Sequence, residues 1–217
     1  MTPMPPRQTL ATTSLAVAAG ALVLLFGSGL GRDDAAPAQA MVAARRTAQP
    51  AAQRRAEALQ AFGEVARVLR HPRCLNCHTV TSFPRQGDDR HPHANLVRRG
   101  PADRGVPGMT CGTCHQAANN PSSGVPGRPD WHLAPLTMGW EGLTDAELCR
   151  ALKDPRRNGG RDLAALTRHV GQDRLVAYGW DPGGSRAPVP VPRAEVVRLM
   201  TAWADAGAPC ASLSARH

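Results

Sequence analysis

Two five-residue motifs carry the chemistry that can be read from this chain. Cys74-Leu75-Asn76-Cys77-His78 and Cys111-Gly112-Thr113-Cys114-His115 both have the form C-x-x-C-H. Two thiols three positions apart lie on one side of a helical turn. They can form thioethers with the two vinyl groups on one edge of a porphyrin, and the adjacent histidine can then bind the iron. Two C-x-x-C pairs could instead hold one structural zinc. With 8 histidines in 217 residues, finding a histidine directly after both pairs has a chance on the order of one in 700, so the haem reading is preferred. A thioredoxin-like dithiol would want one pair in a βαβ setting, and no such pattern is present.

Four further features bear on these motifs. Cys149 and Cys210 are left over, and in an oxidising compartment two such cysteines pair. Their bridge would close a loop of about 60 residues, worth roughly 3–4 kcal/mol in the chain-entropy model. The N-terminus carries Arg7, an apolar run from about Leu10 to Leu30, and the small-x-small sequence Ala38-Gln39-Ala40. It reads as an export signal ending at residue 40 or as an uncleaved membrane anchor, and either places the rest of the chain in the periplasm. The formal charge is +9, which favours acidic partners. Export excludes nucleic acid, and haem propionates would take up part of the arginine. Finally, aromatics make up only 4% while Gly and Pro number 21 and 20, so a large prosthetic group is expected to supply apolar mass to a thin core.

The elements that must position the motifs follow from periodicity and capping. The expected domains are 1–40 as the signal or anchor, 41–52 as a spacer and 53–217 as the di-haem domain. Leu59, Phe62, Val65, Ala66 and Leu69 predict a helix from about Ala51 to Arg70, stopped by His71-Pro72. Thr144 to Glu147 is a capping box opening a helix to about Lys153. Asn158-Gly159-Gly160 is a turn, and a helix is expected from Arg161 to Val170. Val196, Val197, Leu199, Met200 and Trp203 predict a last helix from Arg193 to Ala206, with Gly207 ending it. Residues 79–110 and 116–140 show no period, and no strand is expected. The fold class is mainly α: a loop-rich, cytochrome c-like domain around two covalent haems.

The motifs, together with His71-Pro72-Arg73-Cys74, Trp131 to Pro135, Met138 to Gly142, Gly179-Trp180 and the closing Trp203 to Cys210, resemble di-haem cytochromes c. They are similar in particular to small bacterial cytochromes labelled as a subunit of isoquinoline 1-oxidoreductase, a molybdenum hydroxylase. The resemblance implies an electron carrier, or the electron-accepting subunit of such a hydroxylase or another dehydrogenase. The alternative is a haem enzyme or sensor with an open coordination position for peroxide or a nitrogen oxide. His78 and His115 are the expected proximal ligands, and the distal candidates are His71, His91, His93, His132, His169, Met109, Met138 and Met200. Met138 lies in a loop resembling the methionine loop of single-haem class I cytochromes. His93 is placed like the distal histidines of the small di-haem subunit of periplasmic nitrate reductase. The expected pair is therefore Met138 on one iron and His93 on the other, with Met raising the potential of its haem. Only 33 residues separate Cys77 from Cys111, so the two haems are expected to lie near each other.

Overall fold

A computed structural model describes residues 50–213. Contacts divide the chain into Met1–Arg45 and Arg46–His217, and the described residues all fall in the second unit. The expected export segment and most of the spacer lie outside them. Helix α1 spans Ala51–Leu69 and α2 is a single turn, Pro72–Leu75. Two minimal hairpins follow: β1 (Arg85–Gln86) pairs with β2 (His91–Pro92), and β3 (Gly105–Val106) with β4 (Met109–Thr110). Helix α3 is again one turn, Cys111–Cys114. Then come α4 (Asp145–Lys153), α5 (Leu163–Gln172) and α6 (Arg193–Asp205).

The architecture is mainly α, with the helical core made of the first α-helix and the last three among the described residues. Helix α1 packs on α6 and α4, and α5 packs on α6. The apolar face of α1 is buried at Phe62, Val65, Ala66 and Leu69, and meets Val196, Met200 and Trp203 of α6. Phe62 and Trp203 sit with ring centroids 4.8 Å apart. Val197 and Leu199, expected on the same inner face, are half-buried instead. Helix α4 begins as the sequence predicts: the Thr144 hydroxyl accepts from the Glu147 amide at 3.3 Å, and Glu147 accepts from the Thr144 amide at 2.8 Å. Helix α5 starts two residues later than expected because Asp162 caps it, accepting from the Ala165 amide at 2.6 Å.

The segments between α2 and α4 are mostly irregular, and two buried arginines gather them. The Arg73 side chain is wholly buried. It donates to the Tyr178 hydroxyl at 2.8 Å and to the Gly87 carbonyl at 2.9 Å, and pairs with Asp88. It thus joins α2 to the first hairpin and to the short 3-10 turn Val176–Gly179. Arg99 pairs with Asp103 at 2.6 Å, donates to Thr79 Oγ1 at 3.2 Å and to the Ala134 carbonyl. It ties together the stretch after the first motif, the stretch before the second, and the tryptophan-bearing segment near residue 134.

Cys149 on α4 and Cys210 beyond α6 are joined, with S–S 2.00 Å and Cα–Cα 5.7 Å. This is the pairing expected from the leftover cysteines. Cys149→Ser should lower unfolding free energy by roughly 3–4 kcal/mol, read from urea denaturation. An unchanged midpoint would show that the bridge adds nothing to the packing of α4 on the C-terminal segment.

Candidate functional site

Both C-x-x-C-H motifs fold as isolated helical turns. The His78 amide bonds the Cys74 carbonyl at 3.0 Å, and the His115 amide bonds the Cys111 carbonyl at 3.0 Å. A turn of this kind sets thiols at i and i+3 on the same side. Pro72 starts the first turn, with His71 as its cap: His71 Nδ1 accepts from the Arg73 amide at 3.2 Å. The four motif cysteines are unbridged.

The two motif histidines are held alike. His78 Nδ1–H donates to the Met138 carbonyl at 2.8 Å, and its ring lies flat on Trp140, centroids 3.5 Å apart at 9°. His115 Nδ1–H donates to the Pro126 carbonyl at 2.7 Å, and its ring lies flat on Trp131, 4.1 Å apart at 3°. Burial pushes the His78 imidazole down to about 4 and lowers that of His115, outweighing the carbonyl each ring faces. Both rings are therefore neutral near pH 7. With Nδ1 donating to a carbonyl, the lone pair of each stands on Nε2, which is the state a metal ligand requires.

His93 faces the second motif. Its ring centroid is 6.0 Å from that of His115, edge to face at 70°. Its Nδ1–H donates to the Ala94 carbonyl at 2.7 Å, so its lone pair is also on Nε2. Two imidazoles bound through Nε2 to one iron, with metal–nitrogen bonds of roughly 2 Å, would have centroids about 6 Å apart. The first hairpin supplies the placement: the His93 amide bonds the Pro84 carbonyl at 3.2 Å, and Ala94 bonds the Gln86 side chain at 3.1 Å.

Two adjoining clefts of about 440 and 510 Å³ share His93, His115, Trp131 and Leu133 as lining. Both volumes suit a bound cofactor. Cys77 and Tyr178 line the first; Cys111, Cys114 and Met109 line the second. Residues of both motifs thus line these clefts, Cys77 from the first and Cys111, Cys114 and His115 from the second, while Cys74 and His78 line neither.

Of the remaining candidates, Met109 lines the second cleft, while Met138 is buried in the short 3-10 turn Leu136–Met138, where its carbonyl accepts from His78 Nδ1. Met138 also lines neither cleft beside His115. His91 has both nitrogens engaged, with Asp89 at 2.6 Å and Gln86 at 2.9 Å. His132 donates Nδ1–H to the Asp130 carbonyl at 2.5 Å but lines neither cleft, and Met200 belongs to the helical core.

The residues fit a haem in two further respects. Among the described residues, the buried donors Arg73 Nε, Arg90 Nε, Arg99 Nε and Trp140 Nε1 have no acceptor in the protein. Buried donors normally have partners, and propionates are acceptors that arrive with a haem. Burial also pushes the Cys74 thiol up to about 12 and Cys77 up to about 11. That is opposite to the depressed values of a redox-active dithiol. Among the described residues no three His, Cys, Asp or Glu side chains converge as a protein-only metal cage requires, whereas a haem asks for only two axial side chains. None of the described helices is long and apolar enough to cross a membrane. No protein-family model, curated protein or solved structure matches the chain.

The sequence reading did not single out the carbonyls of Pro126 and Met138, the stacking role of Trp131 and Trp140, or the two buried arginines. The tryptophans did leave a signal: the chain has 4 Trp, and two of them fall within ten residues of each other. Arg99→Leu should strand Asp103 and release the Ala134 carbonyl. Removing one partner of a buried pair costs about 3–5 kcal/mol, and Asp103 keeps some solvent, so a loss of about 3 kcal/mol is expected from urea unfolding. A loss under about 0.5 kcal/mol would show that the loops are held by other contacts.

Proposed function

We propose that this chain is an exported di-haem c-type cytochrome that passes electrons between redox proteins, as a free carrier or as the electron-accepting subunit of a molybdenum hydroxylase or other dehydrogenase. Cys74 and Cys77 would anchor one haem and His78 would bind its iron; Cys111, Cys114 and His115 would hold the other. The observation that carries the proposal is the shared construction of His78 and His115: each follows a C-x-x-C turn, donates Nδ1–H to a backbone carbonyl and lies flat on a tryptophan. When bound, the haems supply one-electron exchange between ferric and ferrous iron.

The protein's own part is to fix ligands and present a docking edge. The carbonyls of Met138 and Pro126 set the imidazole tautomers, and Trp140 and Trp131 set the ring planes. His93 stands where it would close the open side of His115, which weighs against an enzyme or sensor that keeps that position free for a small molecule. Met109, which lines the second cleft, is 41% exposed, Leu96, between the lining residues Asn95 and Val97, is 78% exposed, and Arg98 lies over Phe83 at 5.1 Å. An apolar edge with arginine around it suits brief, salt-sensitive docking of an acidic partner.

Protein matured in a periplasm should carry two haem additions by mass spectrometry after acid–acetone extraction. A colourless or zinc-loaded protein would overturn the proposal. His93→Ala should keep both haems and bind one more carbon monoxide per chain when reduced than the wild type does, whereas His91→Ala should bind as the wild type does. Equal behaviour of the two variants would remove His93 from the site.

A further inference from the structure

We propose that the buried guanidinium of Arg73 sets the potential of the haem anchored by Cys74 and Cys77, biasing it toward ferrous iron, with Asp88 as the opposing charge. The assignment rests on reading the first motif as a haem attachment site. Arg73 directly precedes Cys74, and its contacts fix where the charge stands. Nη1 donates to the Tyr178 hydroxyl at 2.8 Å and Nη2 to the Gly87 carbonyl at 2.9 Å. Gly87 and Tyr178 line the cleft of about 440 Å³ together with Asn76 and Cys77 of the first motif. Asn76 Nδ2 donates to the same Gly87 carbonyl at 2.9 Å. The guanidinium thus lies directly behind the wall of the cleft onto which Cys77 opens. Burial pushes the thiols of Cys74 and Cys77 up, and the charge of Arg73 draws both back down, so the cation is felt at both points of attachment.

Ferric haem carries one positive charge more than ferrous haem, so a cation held nearby disfavours the ferric state and an anion favours it. The two members of this ion pair are unequal in that respect. The Arg73 side chain is 0% exposed and that of Asp88 48%. A charge buried away from water is screened less than one in contact with it. Arg73 Nε has no acceptor among the described residues, whereas Asp88 also accepts from the Ala187 amide at 3.1 Å. The field of the pair at the cleft is therefore positive. Arg85 and Arg186 line the same cleft, but both are half-buried and share their charge with water. The second haem feels Arg73 less. His115 is joined to Arg73 through Trp131 and Tyr178, with ring centroids 4.1 and 4.9 Å apart in turn. The pair thereby separates the two potentials and biases the electron toward the first haem.

The test is a spectroelectrochemical titration of the full chain matured with haem. Arg73→Gln should lower the midpoint of one haem, and Asp88→Asn should raise the midpoint of that same haem. It should be the haem whose midpoint His93→Ala changes less. Arg73→Lys keeps the charge and should hold the midpoint nearer the wild type than Arg73→Gln does, even where stability falls. Opposite shifts from the two partners of one ion pair separate an effect of charge from loosened packing, which would move both variants the same way. If Arg73→Gln does not accumulate, Asp88→Asn decides alone, since Asp88 is half exposed. With two haems present, an Asp88→Asn midpoint that is unchanged or lower would overturn the assignment and leave the cytochrome reading standing. So would an Arg73→Lys midpoint as low as that of Arg73→Gln, or shifts confined to the haem that His93→Ala disturbs. A wild type without haem would overturn the cytochrome reading itself.

Discussion

A neutral imidazole has one nitrogen that donates and one that accepts, and whichever group occupies the first decides what the second can bind. In this chain the deciding groups are main-chain carbonyls, Met138 for His78 and Pro126 for His115. Both carbonyls come from long segments without regular structure, so those segments must be held still for the tautomers to be fixed. The Trp140 amide bonds the His78 carbonyl at 3.1 Å, and the Leu133 amide bonds the Asp103 carbonyl at 2.9 Å. The segment 138–140 thereby supports His78 through the ring face, the ring nitrogen and the backbone, while 126–133 holds the ring of His115 and is itself tied to Asp103.

Regular secondary structure contributes little to that support. The conventional core lies among α1, α4, α5 and α6, and the motif region is assembled by Arg73 and Arg99 from side-chain and main-chain hydrogen bonds. A buried arginine is costly unless its donors are met, and each of these meets most of them with carbonyls, hydroxyls and one carboxylate. Trp131 adds an aromatic connection, with its ring 4.9 Å from Tyr178, whose hydroxyl accepts from Arg73. The stacked face of His115 is thus joined through Trp131, Tyr178 and Arg73 to the turn that bears Cys74.

The sequence made the helices readable because each carries its own local signal: the apolar period of α1, the Thr144–Glu147 box of α4, and the proline and glycine that bracket α6. The Cys149–Cys210 pair was readable by elimination. The groups that hold the histidine rings were not, because they are main-chain carbonyls that no side-chain pattern reports: Met138, expected as a ligand from its place before a capped helix, offers its carbonyl to His78 Nδ1. His93 and His91 are two residues apart and chemically identical. They differ because Asp89 and Gln86 take both nitrogens of His91, while His93 gives up one to the Ala94 carbonyl. The small hairpins were also not legible, since two-residue strands have no period to read.

The proposed carrier role rests on the shared construction of His78 and His115, each held by a carbonyl on Nδ1 and a tryptophan on its face. The most direct test is a crystal structure of the haem-loaded protein with an anomalous difference map at the iron edge. The account predicts two iron peaks per chain, one between Nε2 of His115 and Nε2 of His93 and one at Nε2 of His78. A single metal shared by the four motif thiols, or the absence of any iron, would contradict it.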